Sequence, residues 1–174
     1  WVNMADSYKE KNLLGIPWML AFALRADGWY LRQDIIWAKN NPMPESVKDR
    51  CTKAHEYIFL FSKKPKYYYD ASSIAEPAIS AGQNRGGSKA YVAEYERSGD
   101  QRLRTKAGLT KYGMTGEFRN KRSVWTVATR PYKGAHFAAF PCELIEPCIL
   151  AGCPEGGTVL DPFGGCGTTA GVAL

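Results

Sequence analysis

Near its carboxyl end the chain reads Thr158-Val159-Leu160-Asp161-Pro162-Phe163-Gly164-Gly165-Cys166-Gly167-Thr168-Thr169. Three β-favouring residues run into a carboxylate, a proline, three glycines and two threonines. A strand, a Gly-rich turn and a helix start in this order bring main-chain N–H groups around a polar ligand, because glycine leaves no side chain in the way. Thr168 and Thr169 fall where a hydroxyl can cap helix amides or touch that ligand. The turn alone leaves the ligand open. A phosphate-cradling nucleotide loop requires Lys after its last Gly, and Gly167 is followed by Thr168, which excludes that reading. The looser dinucleotide fingerprint fits as Gly165-x-Gly167-x-x-Ala170, with its ribose-binding acid expected beyond Leu174. A nicotinamide-dependent oxidoreductase is therefore one reading, and a Gly turn without a ligand is another.

Other chemistries find less support. The five cysteines include no C-x-x-C pair and there are only two histidines, so no metal site is expected. Cys142, Cys148 and Cys153 are expected to pack as small apolar residues. The most apolar stretch, Ile16 to Leu24, is followed at once by Arg25 and Asp27, too short a run for a membrane span. With no signal-like N-terminus, a cytoplasmic protein without membrane association is expected.

The elements that must position the turn follow from periodicity. Trp1 to Met4 reads as a strand end, and Asn12 or Leu13 onward as a helix stopped by Asp27-Gly28, with Pro17 in its first turn. Tyr30–Ala38 and His55–Ser62 read as strands able to pair antiparallel around a proline-broken loop. Val124–Val127 is a further short strand, Pro141–Ala151 a helix, and Thr158–Leu160 a strand ahead of a last helix. From Ala71 to about Ser123 periodicity is lost.

Charge is uneven. Residues 81–133 carry twelve basic and four acidic side chains, whereas 134–174 carry four acidic and no basic ones. A basic stretch of this kind fits a polyanionic partner, as does plain solvated loop charge. The chain is expected to divide into residues 1–70, a helix with two long strands; residues 71–123, an insertion; and residues 124–174, the part that carries the Gly turn.

Taken with its neighbours, the Gly turn resembles a known family. Asp161-Pro162-Phe163 before the glycines, and His136-Phe137-Ala138-Ala139-Phe140-Pro141 upstream, are similar to the D-P-F-x-G-S-G-T-T and H-F-A-T-F-P segments of the DNA amino-methyltransferases that act on cytosine N4 or adenine N6. Cys166 replaces the usual Ser and Ala139 the usual Thr. Trp1 to Tyr8, Asp27 to Trp37, Pro42 to Arg50 and His55-Glu56-Tyr57 resemble further segments of that family, in its order. The cofactor motif at the carboxyl end resembles the circularly permuted class. Its catalytic (Asp/Ser/Asn)-Pro-Pro-(Tyr/Phe) tetrapeptide is not in this sequence and is expected N-terminal to Trp1. The chain is thus expected to be a fragment, truncated at both ends, poorly stable by itself and unable to transfer a methyl group.

The resemblance implies a Rossmann-like α/β fold, a three-layer sandwich, with S-adenosylmethionine as cofactor and double-stranded DNA of bacteria or phages as substrate. A partner restriction endonuclease belongs to the same picture. Asp161, Phe163, Gly165, Gly167, Thr168 and Thr169 would form the loop against the methionine end of the cofactor. Phe137, Ala138, Phe140 and Pro141 would line the opposite wall, although core packing equally accounts for the two phenylalanines. His136 would hold its loop by a hydrogen bond. Pro44, Glu45, Ser46, Lys48 and Arg50 would face the DNA and its target pocket. In the insertion, a target-recognition segment, Arg102, Arg104, Lys106, Arg119, Lys121 and Arg122 would contact DNA, mostly its phosphates. The expected target is cytosine N4, with adenine N6 as the alternative. A non-catalytic DNA-binding protein of the same fold is the reading from another class.

Overall fold

The computed structural model describes residues 1–78, 118–130 and 139–174. The chain forms two compact units, residues 1–73 with 122–174, and residues 74–121.

The first unit is organised by one long antiparallel pair. β4 (Tyr30–Ala38) and β5 (His55–Ser62) run in register from Tyr30↔Ser62 to Ala38↔His55, with one irregularity between Leu31 and Gln33. Both strands are dense in β-branched and aromatic residues, which suit a pleated surface covered on its faces. β1 (Val2–Met4) pairs antiparallel to the other edge of β5, and β8 (Val124–Thr126) pairs parallel to β4, giving the order β1-β5-β4-β8. β1, β4 and β8 therefore share one direction, and the loops leaving their carboxyl ends emerge along the same sheet edge.

Successive β5 side chains point to opposite faces. On one face Tyr57 and Phe59 stack with centroids 5.8 Å apart and meet the indole of Trp18 edge-on at 5.8 and 5.3 Å. Trp18 belongs to α1 (Ile16–Ala26). On the other face Ile58 joins Ile35, Trp37, Trp125, Leu144 and Cys148 in a buried cluster, to which α2 (Cys142–Gly152) contributes the last two residues. Helix, sheet and helix make three layers. α2 ends against Trp1, where a Cβ on Gly152 would stand 2.7 Å from the indole Nε1. That close approach accounts for glycine there.

Three local expectations are corrected. The helix expected from Asn12 or Leu13 begins at Ile16, because Asn12–Leu13 (β3) pairs with Tyr8–Lys9 (β2) across a turn at Glu10 and Lys11. Gly15, at φ 74°, separates hairpin from helix. Pro17 does fall in the first turn, and Asp6 accepts hydrogen bonds from the amides of Gly15 (3.2 Å) and Ile16 (3.1 Å), satisfying donors that the helix leaves unpaired. Thr158–Leu160, expected as a strand, pairs with no described strand, and Leu160 is exposed; β-favouring composition makes a strand only where a partner edge completes the ladder. Of the three cysteines expected to be packed, Cys148 is buried, Cys153 half-buried and Cys142 exposed, since Cys142 opens α2 on its outer side.

In the second unit β6 (Glu76–Pro77) pairs antiparallel with β7 (Phe118–Arg119), and Arg119 Nε donates to Glu76 Oε1 at 2.9 Å.

Phe59 has no exposed surface and forms the base of the aromatic face. Phe59→Ala is expected to cost about 3–5 kcal/mol of unfolding free energy, and Phe59→Leu much less, in urea titrations followed by tryptophan fluorescence. Equal small losses would show that the α1 face does not depend on this ring.

Candidate cofactor crevice and target-facing loop

Asp161 organises the Gly-rich turn from within. Its Oδ1 accepts the Phe163 amide at 2.9 Å, and its Oδ2 accepts the Thr169 hydroxyl at 2.6 Å. One carboxylate thus ties the first residue of the turn to the start of α3 (Thr168–Ala173). Gly165 and Gly167 occupy the left-handed region at φ 51° and 82°, which glycine enters without the Cβ penalty, and Gly167 N donates to Gly164 O at 2.7 Å. The threonine hydroxyls do not cap α3. Thr169 is engaged by Asp161, and Thr168 Oγ1 lies 3.1 Å from Cys166 Sγ.

The turn borders a crevice of about 970 Å³, a size that suits a nucleoside-bearing cofactor. Asp161, Phe163, Gly165, Thr168 and Thr169 line it; Gly167 does not. Val2 and Met4 of β1, Leu20 and Leu24 of α1, and Ile145 and Ile149 of α2 supply apolar walls. Phe140 lines the crevice and also packs on the buried cluster. Pro141 is buried and is not part of the lining. Phe137, Ala138 and His136 lie outside the described residues. The α1 and β1 contributions escaped sequence reading, because these apolar residues resemble ordinary core and only the topology turns them toward the turn. Phe163, in contrast, is 88% exposed at the mouth.

Residues 39–54 leave the carboxyl end of β4. Asn41 and Thr129 exchange two hydrogen bonds, Asn41 Nδ2 to Thr129 O at 2.9 Å and Thr129 N to Asn41 Oδ1 at 2.8 Å, which joins this loop to the one following β8. Lys39 pairs with Glu56 at the loop's base. Pro44, Ser46 and Lys48 are exposed. Glu45 and Arg50 pair with each other at 2.6 Å. Asp49 receives Lys11 at 2.9 Å; that bond first, and its own backbone amide second, hold its carboxyl below the usual range. Arg119 pairs with Glu76 in the second unit, Lys121 is half-buried and Arg122 exposed. Arg102, Arg104 and Lys106 lie outside the described residues. Among the described residues no group of His, Cys, Asp and Glu side chains could hold a metal ion, and no helix is long and apolar enough to cross a membrane.

Layered helices, a sheet whose carboxyl-end loops gather at one edge, and a Gly turn beside it define an α/β methyltransferase fold, and solved structures agree. The chain superposes on PvuII DNA methyltransferase (cytosine-N4-specific) with a TM-score of 0.67 at 16% identity, covering 98% of this chain and 53% of that one. It matches the M1.HpyAVI-SAM complex with a TM-score of 0.53 at 19% identity, covering 91% and 57%. In sequence, the DNA methylase family model matches residues 1–174, and the chain belongs to that family. It is 47% identical to the type II methyltransferase M.Cfr9I of Citrobacter freundii over 94% of this chain and 43% of that protein. It is also 47% identical to M.SmaI of Serratia marcescens over 94% and 45%. The chain thus spans less than half the length of these relatives.

Since the Asp161–Thr169 bond closes the turn, Thr169→Val should loosen it while Thr169→Ser keeps it. Amide exchange at residues 163–168 is expected to quicken roughly tenfold in the first variant, for a loss of about 1–2 kcal/mol, and to stay unchanged in the second.

Proposed function

We propose that this chain is the cofactor-binding and target-facing part of a type II DNA methyltransferase that uses S-adenosylmethionine to methylate the exocyclic amine of a DNA base. The observation that carries the reading is the glycine-lined crevice that the Gly turn forms against β1, the edge strand of a methyltransferase-type sheet.

The residues present fit that cofactor. A Cβ at Gly164 would meet only the Asp161 carbonyl, at 3.7 Å, so the main chain there stands open to a ligand. The apolar walls from β1, α1 and α2 suit an adenine ring and a thioether chain, while the turn's backbone suits the polar methionine end. When bound, S-adenosylmethionine supplies an electrophilic methyl group on a sulfonium. This chain's share of the work is then to bind and orient. Asp161 holds the turn, Gly165 and Gly167 set its path, and the 40–50 loop, which leaves the carboxyl end of β4, faces the base. Methylation of an amine in a duplex requires the base to leave the stack, and positioning of the two reactants supplies much of the acceleration.

Lys48, with Ser46 and Pro44 beside it, is proposed to meet the DNA from the first unit. The insertion at 71–123 is proposed as the target-recognition segment, with Arg102, Arg104, Lys106, Arg119, Lys121 and Arg122 on DNA. Within the class we place the target at cytosine N4. The solved methyltransferase named as cytosine-N4-specific shares the fold and lends this choice some support; adenine N6 is the other target of the family.

Radiolabelled methyl transfer from S-adenosylmethionine to bacterial DNA by the intact protein, followed by nucleoside mass spectrometry, should yield N4-methylcytosine. N6-methyladenine would move the target, and no incorporation would remove the function. In the 174-residue chain, Gly165→Val places a β-branched residue at φ 51°. It is expected to weaken S-adenosylmethionine binding at least tenfold in calorimetry with the far-ultraviolet circular dichroism unchanged. Retained affinity would remove the turn from the site.

A further inference from the structure

We propose that Arg50 is a positioning residue and not a phosphate contact: with Tyr8 it forms a clamp that sets the shape of the 40–51 loop. The proposal rests on the methyltransferase reading of that loop.

The guanidinium is engaged on its edge and on its face. Nη1 donates to Glu45 Oε2 at 2.6 Å and to the Cys51 carbonyl at 3.1 Å, while Cζ lies 4.0 Å from the centroid of the Tyr8 ring. Only a planar cation can stack and donate from its rim at once, so lysine does not replace it. The side chain is 28% exposed and its charge is already met by Glu45, itself 29% exposed. A cation that serves phosphate is generally uncompensated and turned outward, as the exposed Lys48 is.

Tyr8 supplies the ring for this stack from the first position of β2. It begins the β2–β3 hairpin, whose turn carries two non-glycine residues at positive φ, Glu10 at 51° and Lys11 at 66°. Two further cations join residues 6–11 to residues 49–53. Lys11 Nζ lies 2.9 Å from Asp49 Oδ2, and Lys53 Nζ lies 3.9 Å from Asp6 Oδ2 and 6.0 Å from the Tyr8 centroid. Asp6 also caps α1, whose Leu20 and Leu24 line the crevice. At its far end the loop is latched by Asn41 and Thr129. Between the latch and the clamp the chain runs Pro42-Met43-Pro44, with Met43 86% exposed. Two prolines restrict that path further. A tip anchored at both ends and joined to the cofactor wall is pre-organised for a base brought to the crevice, and pre-organisation lowers the ordering cost at binding.

The test compares Arg50→Gln, Arg50→Lys, Tyr8→Leu and Tyr8→Phe in the intact protein. It reads amide exchange of residues 43–51, kcat and KM for methyl transfer, and the salt dependence of binding to a mixed-sequence duplex. Arg50→Gln, Arg50→Lys and Tyr8→Leu should each quicken exchange at least tenfold and lower kcat at least tenfold, with the salt slope unchanged. Tyr8→Phe, which keeps the ring, should remain within twofold of the wild type in every readout. The proposal is overturned if Arg50→Gln lowers the slope by about one, the signature of a lost phosphate contact. It is equally overturned if Tyr8→Leu leaves exchange and kcat unaltered. A wild-type protein that moves no methyl group would instead sink the function on which the clamp's role depends, whereas active wild type with an indifferent Tyr8→Leu sinks the clamp alone.

Discussion

Residues 30–38 hydrogen-bond along the length of residues 55–62, and this ribbon is covered on one side by Trp18 and on the other by Trp125, Leu144 and Cys148. Every other placement in the first unit follows from it. Among the described residues β1 and β8 pair only with its two edges, and α1 and α2 bury their apolar sides against its two faces. The direction of the ribbon decides where the loops emerge. Because β4 points its carboxyl end the same way as β1 and β8, the proline loop, the 5–15 segment and the residues after β8 meet at one rim. A one-residue slip in the register would exchange the faces on which Phe59 and Ile58 lie. The dense aromatic sequence of β5 makes such a slip costly, since Trp18 would lose its edge contacts.

The two long strands were readable from sequence to the residue, because their composition and the breakers around them agree. The helix at 142–152 was readable within one residue for the same reason. The start of α1 was not. Leu13, Leu14, Ile16 and Leu20 satisfy helical spacing locally, yet Gly15 takes a left-handed conformation and Tyr8–Leu13 folds back on itself. Periodicity registers which residues are apolar, not where the backbone reverses. Thr158–Leu160 shows the converse limit. A run of β-formers predicts a strand, and only the presence of an edge makes one.

The site divides in the same way. The Gly turn stood out as a candidate, since its three glycines behind Asp-Pro-Phe resemble a family's cofactor loop. The walls facing it did not, because Val2, Leu20 and Ile149 read as ordinary core until topology brings them to one crevice. Arg50 illustrates the harder case. In sequence it is a cation in a proline loop, and a DNA contact is the natural expectation. What it does with its charge depends on Glu45, five residues back, and on Tyr8, forty-two positions away. Such non-local satisfaction cannot be read from spacing.

β6 and β7 bring Pro77 and Phe118 side by side, so the intervening chain departs and returns through a single gate. Lengthening a loop whose ends are already joined adds only about 0.6 kcal/mol for each doubling of its length. Segments of unlike size and composition could therefore be exchanged at this gate with little thermodynamic penalty to what lies outside it. The β6–β7 pair thus lets the sequence between its strands change in length and composition without altering the residues that pair around it.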